Sequence, residues 1–378
     1  MSDLVVVSLE RWDEVWRRNQ HLVAGLLRHD PQLRVLFVEP ATDPLHDLLH
    51  RRSPQLGAGL RESPEPDLAG RLWTYQPTKA LPRRLDPGSD RRTADTIRRA
   101  AGRLGFRDPV LWVNDPAGAV LLDRTGWPAV YDITDDWLEA DRTPAEHARL
   151  VAHESILMSR CAEVVVCSPT LQRSKGGTRP VTLVPNAVDV AAYRDPRPRP
   201  ADLPAGATAV YVGTVHRDRI DVDLCLTTAT ALGPRGRLVL VGPAPLTPAD
   251  RHALEAAGVV VLGARPASEV PAYLQHADVL VVPHVVTPFT MSLDPIKRYE
   301  YAAAGRPVVS TPVTGFVDAD DPRITIATGD GFAAAVRDAA LSASGPAAGA
   351  GLPVDGWDVR VAQMAEIIER VRRAATLR

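Results

Sequence analysis

Residues 295–311, PIKRYEYAAAGRPVVST, set a lysine, Lys297, and a glutamate, Glu300, three positions apart on what reads as a single helix. Pro295 is pre-set for a first helical position and Asp294 suits an N-cap. Gly305 supplies a left-handed C-terminal cap, Pro307 blocks continuation, and the β-branched Val308 and Val309 begin a strand. Ile296, Tyr299 and Ala303 form an apolar stripe, while Lys297 and Glu300 share another face. Unpaired N–H groups from Ser292 to Ile296 favour an anion at the helix start, where a lysine is unfavourable unless an anion offsets it. A phosphate resolves that conflict. Glu300, about 4.5 Å further along the axis, is placed to accept hydrogen bonds from ribose hydroxyls. The plain alternative is a surface ion pair at i, i+3.

Further candidates lie at the ends of apolar runs. The loop TVHRDR, residues 214–219, offers Arg217 and Arg219 beside a helix start, and the planar fork of arginine suits diphosphate oxygens. Solvated surface is the competing reading for loop arginines. The backbone N–H groups of Thr290, Met291 and Ser292, with the Ser292 hydroxyl, could face a phosphate. The run YDITDDW puts Asp132, Asp135 and Asp136 at or beyond the carboxyl end of a buried strand. Asp135 first, and Asp136 second, are candidate general bases for an acceptor hydroxyl. Against this, Asp135 could cap a helix and Asp132 pair with an arginine. Arg18, Gln20 and His21 are candidates for the same side, or they simply begin a helix with Leu22, Leu26 and Leu27 in its core stripe. Trp12, Trp16, Arg17 and Arg18, with the arginine-rich residues 83–103, could form a rim for peripheral contact with an anionic membrane; a solvated face is the alternative. Asp318 and Asp320 match a short Asp-x-Asp metal pattern that is common by chance. No paired histidines and carboxylates stand at zinc spacing, so no catalytic metal is expected.

Short apolar runs alternating with helical patterns must position these groups. Five in the first half (residues 4–8, 34–40, 109–113, 128–133 and 162–168) and five in the second (208–213, 237–242, 259–263, 278–283 and 306–311) read as buried parallel strands. The economical reading is α/β, two doubly wound domains: residues 1–194, a proline-rich linker at 195–204, a second domain at 205–355, and a last helix within 356–378. The small-residue stretch 342–351 reads as a flexible connector. Ligands of such sheets bind outside the carboxyl ends of the strands, so two facing domains would create a cleft.

The chain has 378 residues, 45% hydrophobic and 24% charged, with a net charge of −2, which suits two cores and argues against nucleic acid. Cys161, Cys167 and Cys225 have neither metal nor redox spacing and read as reduced structural thiols, in keeping with a cytoplasmic protein. No basic region precedes an apolar core at the N-terminus and no apolar run approaches about 18 residues, so neither signal peptide nor spanning helix is expected. Of the 44 basic residues only Lys79, Lys175 and Lys297 are lysines, which makes one in a phosphate loop less incidental.

Residues 295–311 resemble the donor-binding helix of GT-B glycosyltransferases, especially bacterial sugar transferases of the teichuronic-acid and exopolysaccharide type. Their pattern Pro-x-Lys-x-x-Glu-Tyr-x-Ala-x-Gly-x-Pro-Val-Val is matched by Pro295, Lys297, Glu300, Tyr301, Ala303, Gly305, Pro307, Val308 and Val309. VWRRNQHLVAGLL (15–27), VYDITDDW (130–137), LVPNAVDV (183–190) and YVGTVHRDRIDVDL (211–224) resemble further pieces in the same order. The resemblance implies a GT-B fold whose terminal helix crosses back to the first domain. It also implies a hexosyltransferase acting on a nucleoside diphosphate sugar (UDP, GDP or dTDP) and a hydroxyl acceptor, without a cofactor. It gives Lys297 and Glu300 the diphosphate and ribose, one of Arg217 and Arg219 (Arg217 preferred) a phosphate role with Thr214, and Gly263 and Arg265, within GARP, the nucleobase side. Many retaining members carry two glutamates eight positions apart. Here Ser292 stands eight residues before Glu300, so no catalytic glutamate is carried over. A nucleotide-sugar 2-epimerase of similar architecture and a non-catalytic nucleotide-sugar-binding protein are the competing readings. A nicotinamide oxidoreductase is disfavoured because no Gly-x-Gly-x-x-Gly follows a strand.

Overall fold

The computed structural model describes residues 2–49, 53–79, 81, 86, 88–342 and 354–376. The chain divides into two compact units: unit 1, Met1–Pro185 with Asp358–Arg378, and unit 2, Asn186–Trp357.

Unit 1 is built on β1 (Ser2–Val7), β2 (Leu33–Val38), β3 (Gly59–Glu62), β4 (Leu72–Gln76), β5 (Val110–Val113), β6 (Ala129–Ile133), β7 (Glu163–Val166) and β8 (Thr182–Leu183). Its helices are α1 (Arg18–His29), α2 (Pro44–Leu49), α3 (Ser89–Arg103), α4 (Ala119–Thr125), α5 (Pro144–Arg160) and α6 (Pro169–Lys175). The strands run β3-β4-β2-β1-β5-β6-β7-β8 and are parallel except for the edge strand β3, which pairs antiparallel with β4. β1 and β5 are buried along nearly their whole length, as strands covered on both faces must be. Val5 and Val7 pack with Ile97 of α3, Leu121 of α4 and Leu157 of α5. By the two-residue period, Leu4 and Val6 point to the other face.

Unit 2 contains β9 (Ala207–Val212), β10 (Gly236–Val241), β11 (Val260–Gly263), β12 (Val279–Val282), β13 (Val308–Ser310) and β14 (Ile324–Ile326), in the all-parallel order β11-β10-β9-β12-β13-β14. Its helices are α7 (Val190–Arg194), α8 (Val222–Leu232), α9 (Pro248–Ala256), α10 (Val270–Gln275), α11 (Pro288–Ser292), α12 (Ile296–Ala304) and α13 (Gly329–Ser342). One face packs Leu224 of α8 and Phe332 of α13 against Tyr211 and Leu240; the other packs Tyr193, Tyr273, Tyr299 and Tyr301 against Val210 and Leu280. The order reverses on either side of β9, and the crevice at such a reversal is where doubly wound sheets bind ligands.

The last helix, α14 (Trp357–Thr376), lies almost wholly in unit 1. It buries Met364, Ile367, Ile368 and Val371. Gly25 of α1 admits Val361 so closely that a Cβ there would stand 2.3 Å from Val361 Cγ2. The ten strands read from the sequence are present within a residue or two; β3, β4, β8 and β14 are additional. Residues 195–204, read as a linker, lie within unit 2: Arg197 N donates to Gln275 Oε1 at 2.8 Å, and Asp202 pairs with Arg265. The division falls earlier, before Asn186, whose N–H is tied to the Asp294 carboxylate at 2.6 Å. The proposed connector at 342–351 lies, beyond Ser342, outside the described residues, as do Arg83 and Arg84 of the arginine-rich stretch.

Candidate functional site

The carboxyl ends of β9 and β12 and the start of α12 bring together the groups singled out in unit 2. Lys297 Nζ lies 5.0 Å from the Tyr211 ring centroid. It rests on Gly213, where φ is +139° and a Cβ would stand 2.6 Å from the ammonium nitrogen. Only glycine gives both that backbone and that space. The same holds for Gly242, whose Cβ would meet the Gly213 carbonyl oxygen at 2.2 Å. Burial first, and then the Arg219 guanidinium, pull Lys297 down to about 8, with Glu300 opposing. His284 is buried beside them, 3.3 Å from the Tyr211 hydroxyl; burial and then Lys297 and Arg219 hold its pKa well below the ordinary value. Two cations are thus held close together in poor solvent, a costly arrangement that a bound anion relieves.

Helix α12 adds to this. Its N-cap is Pro295, which makes no side-chain cap, so the first N–H groups of the helix are uncapped, and no acidic residue occupies the first turn. Here the structure departs from the sequence reading. Asp294 is not the cap: it accepts from Asn186 N and, at 3.0 Å, from the Tyr299 hydroxyl, because the chain is still extended at Pro295. The buried stripe is Tyr299, Tyr301 and Ala304, while Ile296 and Ala303 are half-buried. Gly305 caps the helix at φ 71°, as its type required. Glu300 accepts a hydrogen bond from the Tyr193 hydroxyl of α7. Burial pushes its carboxyl up, against Lys297 and Tyr193.

The loop arginines have different neighbours. Arg217 makes a two-pronged pair with Asp250, at 2.7 and 2.6 Å, with its side chain 59% exposed. Arg219 lies over the Phe289 ring, 5.5 Å from its centroid, and acts on both Lys297 and His284. Arg217, the arginine preferred from the sequence, is thus engaged by Asp250 on α9. Thr214 gives its carbonyl to the Tyr211 hydroxyl at 3.2 Å. Residues 288–292 form a short helix of their own, capped by Thr287. That uses the Met291 N–H on Thr287 O, the Thr290 hydroxyl on Val285 O and the Ser292 hydroxyl on Phe289 O. The Met291 N–H and the Thr290 and Ser292 hydroxyls, expected to face a phosphate, are therefore engaged within this short helix and its cap. Gly263 takes φ +77°, and Arg265 is held by Asp202 and the Tyr273 hydroxyl at the end of β11.

In unit 1, Asp132 is fully buried. Both its oxygens accept from Arg18, at 3.2 Å each, and one also from Trp112 Nε1. Asp136 is tied, with Glu154, to Lys175 at 2.9 and 2.7 Å; burial works against that ammonium, but the two carboxylates hold it charged. Asp135 is half-buried and accepts from Thr134 Oγ1 at 3.1 Å. Gln20 is committed to Arg17 N, Arg11 O and Val15 O. His21 packs edge-on to Trp16, and burial, with Arg28, lowers it to about 4. Of the groups read as a basic rim, Trp12 is buried on Phe37, Arg18 clamps Asp132, and Arg17 pairs with Asp13. Among the described residues no group of His, Cys, Asp or Glu is placed to hold a metal, and no helix is long and apolar enough to cross a membrane.

Residues 206–342 match the family model described as Glycosyl transferases group 1. Unit 2 carries a group 1 glycosyltransferase domain. A Bacillus subtilis (strain 168) protein named as a teichuronic acid biosynthesis glycosyltransferase, TuaH, is 23% identical over 218 residues, which is 53% of this chain and 55% of that one. The chain thus spans about half the length of that relative. The crystal structure of Anabaena HepE in complex with UDP-glucose superposes with a TM-score of 0.61 over 100% of both chains, at 14% identity. The alpha,alpha-trehalose 6-phosphate synthase of Burkholderia multivorans gives 0.59 over 99% of this chain and 95% of its own, also at 14% identity. These likenesses establish the fold, that of GT-B glycosyltransferases.

His284 and Tyr193, beside Lys297 and Glu300, escaped the sequence reading, and Tyr211 and Gly213 fell inside the run 211–224 without being singled out. Gly213 was legible in principle, as a glycine closing a buried strand before a polar loop. His284 and Tyr193 stand 13 and 107 positions from Lys297 and Glu300, and no local pattern joins such pairs.

Proposed function

We propose that the chain is a glycosyltransferase that transfers a hexose from a UDP-sugar to an acceptor hydroxyl, in cell-envelope or natural-product glycan synthesis. The observation that carries this reading is the meeting of Lys297, Arg219 and the uncapped N-terminus of α12, with Glu300 one turn further on. Together they offer positive charge for a diphosphate and a carboxylate for a ribose. In the reaction the bond between the anomeric carbon and the diphosphate oxygen breaks, and UDP leaves with the electron pair. The acceptor oxygen bonds to that carbon and gives its proton to a base. Lys297 and Arg219 would stabilise the charge that grows on the leaving diphosphate. Asp135 is the base proposed for an inverting course, since Asp132 and Asp136 are both held by cations. GARP at the end of β11 would flank the nucleobase. UDP is preferred because the HepE structures hold UDP-glucose, UDP, and UDP with glucose. A cytoplasmic site of action accords with three buried free thiols.

The test is release of UDP from a panel of UDP-sugars with and without hydroxyl acceptors, following the product by mass. Acceptor-dependent UDP release is expected, with a mass gain of one hexose on the acceptor and a loss of roughly 10²–10³ in turnover for Lys297→Ala. Conversion of the UDP-sugar to its epimer without acceptor would replace this reading with an epimerase. UDP binding with no turnover of any donor would replace it with a binding protein.

A further inference from the structure

Glu300 occupies a poor place for a carboxylate. Burial raises its pKa, and two groups oppose that: Lys297, three positions earlier on α12, and the Tyr193 hydroxyl of α7. Lys297 rests on Gly213 and over the Tyr211 ring, so its help is that of a nearby charge. Among the described residues Tyr193 is the side chain that donates a hydrogen bond to Glu300. Burial, and then the Glu300 charge, keep the phenol protonated, which fixes it as the donor of the pair.

That hydroxyl is held in place from several directions. Helix α7 packs on α10 and α12. Its N-terminus is capped by Asp189, which accepts from Ala191 N at 3.1 Å. The Tyr193 ring is buried in the same apolar cluster as Tyr299, Tyr301 and Leu280. Its carbonyl accepts from Gln275 Nε2 at 3.2 Å, and the Gln275 side chain also holds the Asp195 carbonyl and the Arg197 N–H. Gln275 is fixed in turn through its own carbonyl, which accepts from the Arg306 guanidinium. Backbone and packing thus seat the ring, and the hydroxyl goes to the carboxylate.

An ionised carboxylate can accept at about four lone-pair positions. A donor on one of them restrains the turning of the group and leaves the others for a ligand. We propose that Tyr193 is a positioning residue for Glu300: it orients the carboxylate to accept from the ribose hydroxyls, and thereby sets a preference for ribonucleotide over deoxyribonucleotide donors. The ribose contact rests on the glycosyltransferase reading of unit 2; the part played by Tyr193 goes beyond it. A carboxylate free to turn is a less directed acceptor, and a ligand lacking the hydroxyl leaves a buried carboxylate oxygen unpaired.

The experiment is calorimetric titration of the full chain, as wild type, Tyr193→Phe, Glu300→Gln and the double variant, with UDP, 2′-deoxy-UDP and 3′-deoxy-UDP. Wild type is expected to bind UDP roughly tenfold or more tightly than at least one of the deoxy nucleotides, and the missing hydroxyl is then the one Glu300 holds. Tyr193→Phe keeps the ring and its packing. It is expected to lower that preference by about threefold or more, while the affinity for the disfavoured deoxy nucleotide stays within about twofold of wild type. The double variant is expected to lose no more of the preference than Glu300→Gln alone, because the hydroxyl acts through the carboxylate. A merely structural tyrosine would weaken all three nucleotides alike, and that result would overturn the proposal. So would a preference that Tyr193→Phe leaves intact, or losses of preference that add in the double variant. A wild type that binds UDP and both deoxy nucleotides equally would remove the ribose role of Glu300 and this proposal with it. No binding of any of the three by the folded chain would overturn the glycosyltransferase reading itself.

Discussion

Lys297 shows how one residue couples the structure to its proposed donor. Its pKa of about 8 reflects burial and the neighbouring Arg219, both of which a bound diphosphate would offset. Binding should therefore raise that pKa, and above about pH 8 each UDP bound should carry a proton in with it. Calorimetry in buffers of different ionisation enthalpy should detect this uptake, with UDP affinity falling as pH rises through that range; Lys297→Ala should abolish both effects. The linkage has a second consequence for the empty protein. The folded pKa is below the ordinary lysine value, so between about 8 and that value the unfolded chain holds more protons and this group adds stability as pH rises. At neutral pH the charged lysine costs stability, and Lys297→Met should raise the Tm of the empty protein while weakening UDP. The two loop arginines give a sharper contrast. Arg219→Ala should weaken UDP by roughly tenfold or more, whereas Arg217→Ala, which breaks a part-buried pair with Asp250, should leave it nearly unchanged. Equal losses in the two variants would contradict the assignment.

Helix α12 works because its two ends are finished differently. At the C-terminus Gly305 takes the left-handed conformation and closes the helix, so Gly305→Ala should cost about 1 kcal/mol. At the N-terminus the proline leaves the first N–H groups uncapped, and the element is anchored instead through Asp294 on Asn186 and Tyr299. Asp294→Ala would strand the buried Asn186 N–H and Tyr299 hydroxyl. Chemical denaturation should register a loss of about 1–3 kcal/mol or more, even though the residue caps nothing. The strand end facing the helix is equally constrained. Gly213→Ala would drive a methyl group into Lys297 and force a strained backbone, so lost UDP affinity should accompany a stability loss of roughly 1–3 kcal/mol.

At the scale of the molecule, each unit carries its own core, and the last helix belongs to the first. Met364 of α14 is fully buried, and Met364→Ala should cost about 2–5 kcal/mol, whereas UDP affinity, which the proposed donor site assigns to unit 2, should be unchanged. A fall in UDP affinity at a temperature where the variant remains folded would show that donor binding draws on more than unit 2. The close seating of α14 on Gly25 explains why the terminal segment is a long amphipathic helix: it covers apolar surface of α1 that would otherwise meet water.

The periodic and punctuated features were legible in the chain itself. Ten strands, the Gly305 cap, the Lys297–Glu300 pair and the two-domain α/β plan all follow from local runs, turn residues and spacing, which act over a few residues. The edge strands β3 and β14 and the two-residue β8 were not, because each is short or half-exposed and becomes a strand only by pairing with a neighbour. Partners decided the roles of charged groups. Asp250 took Arg217, Lys175 took Asp136, and Arg18 took Asp132 across 114 positions. A side chain's charge is written in its sequence, but whether that charge is spent on a neighbour or left for a ligand depends on what folding brings within about 3 Å of it, and only the tertiary structure holds that information.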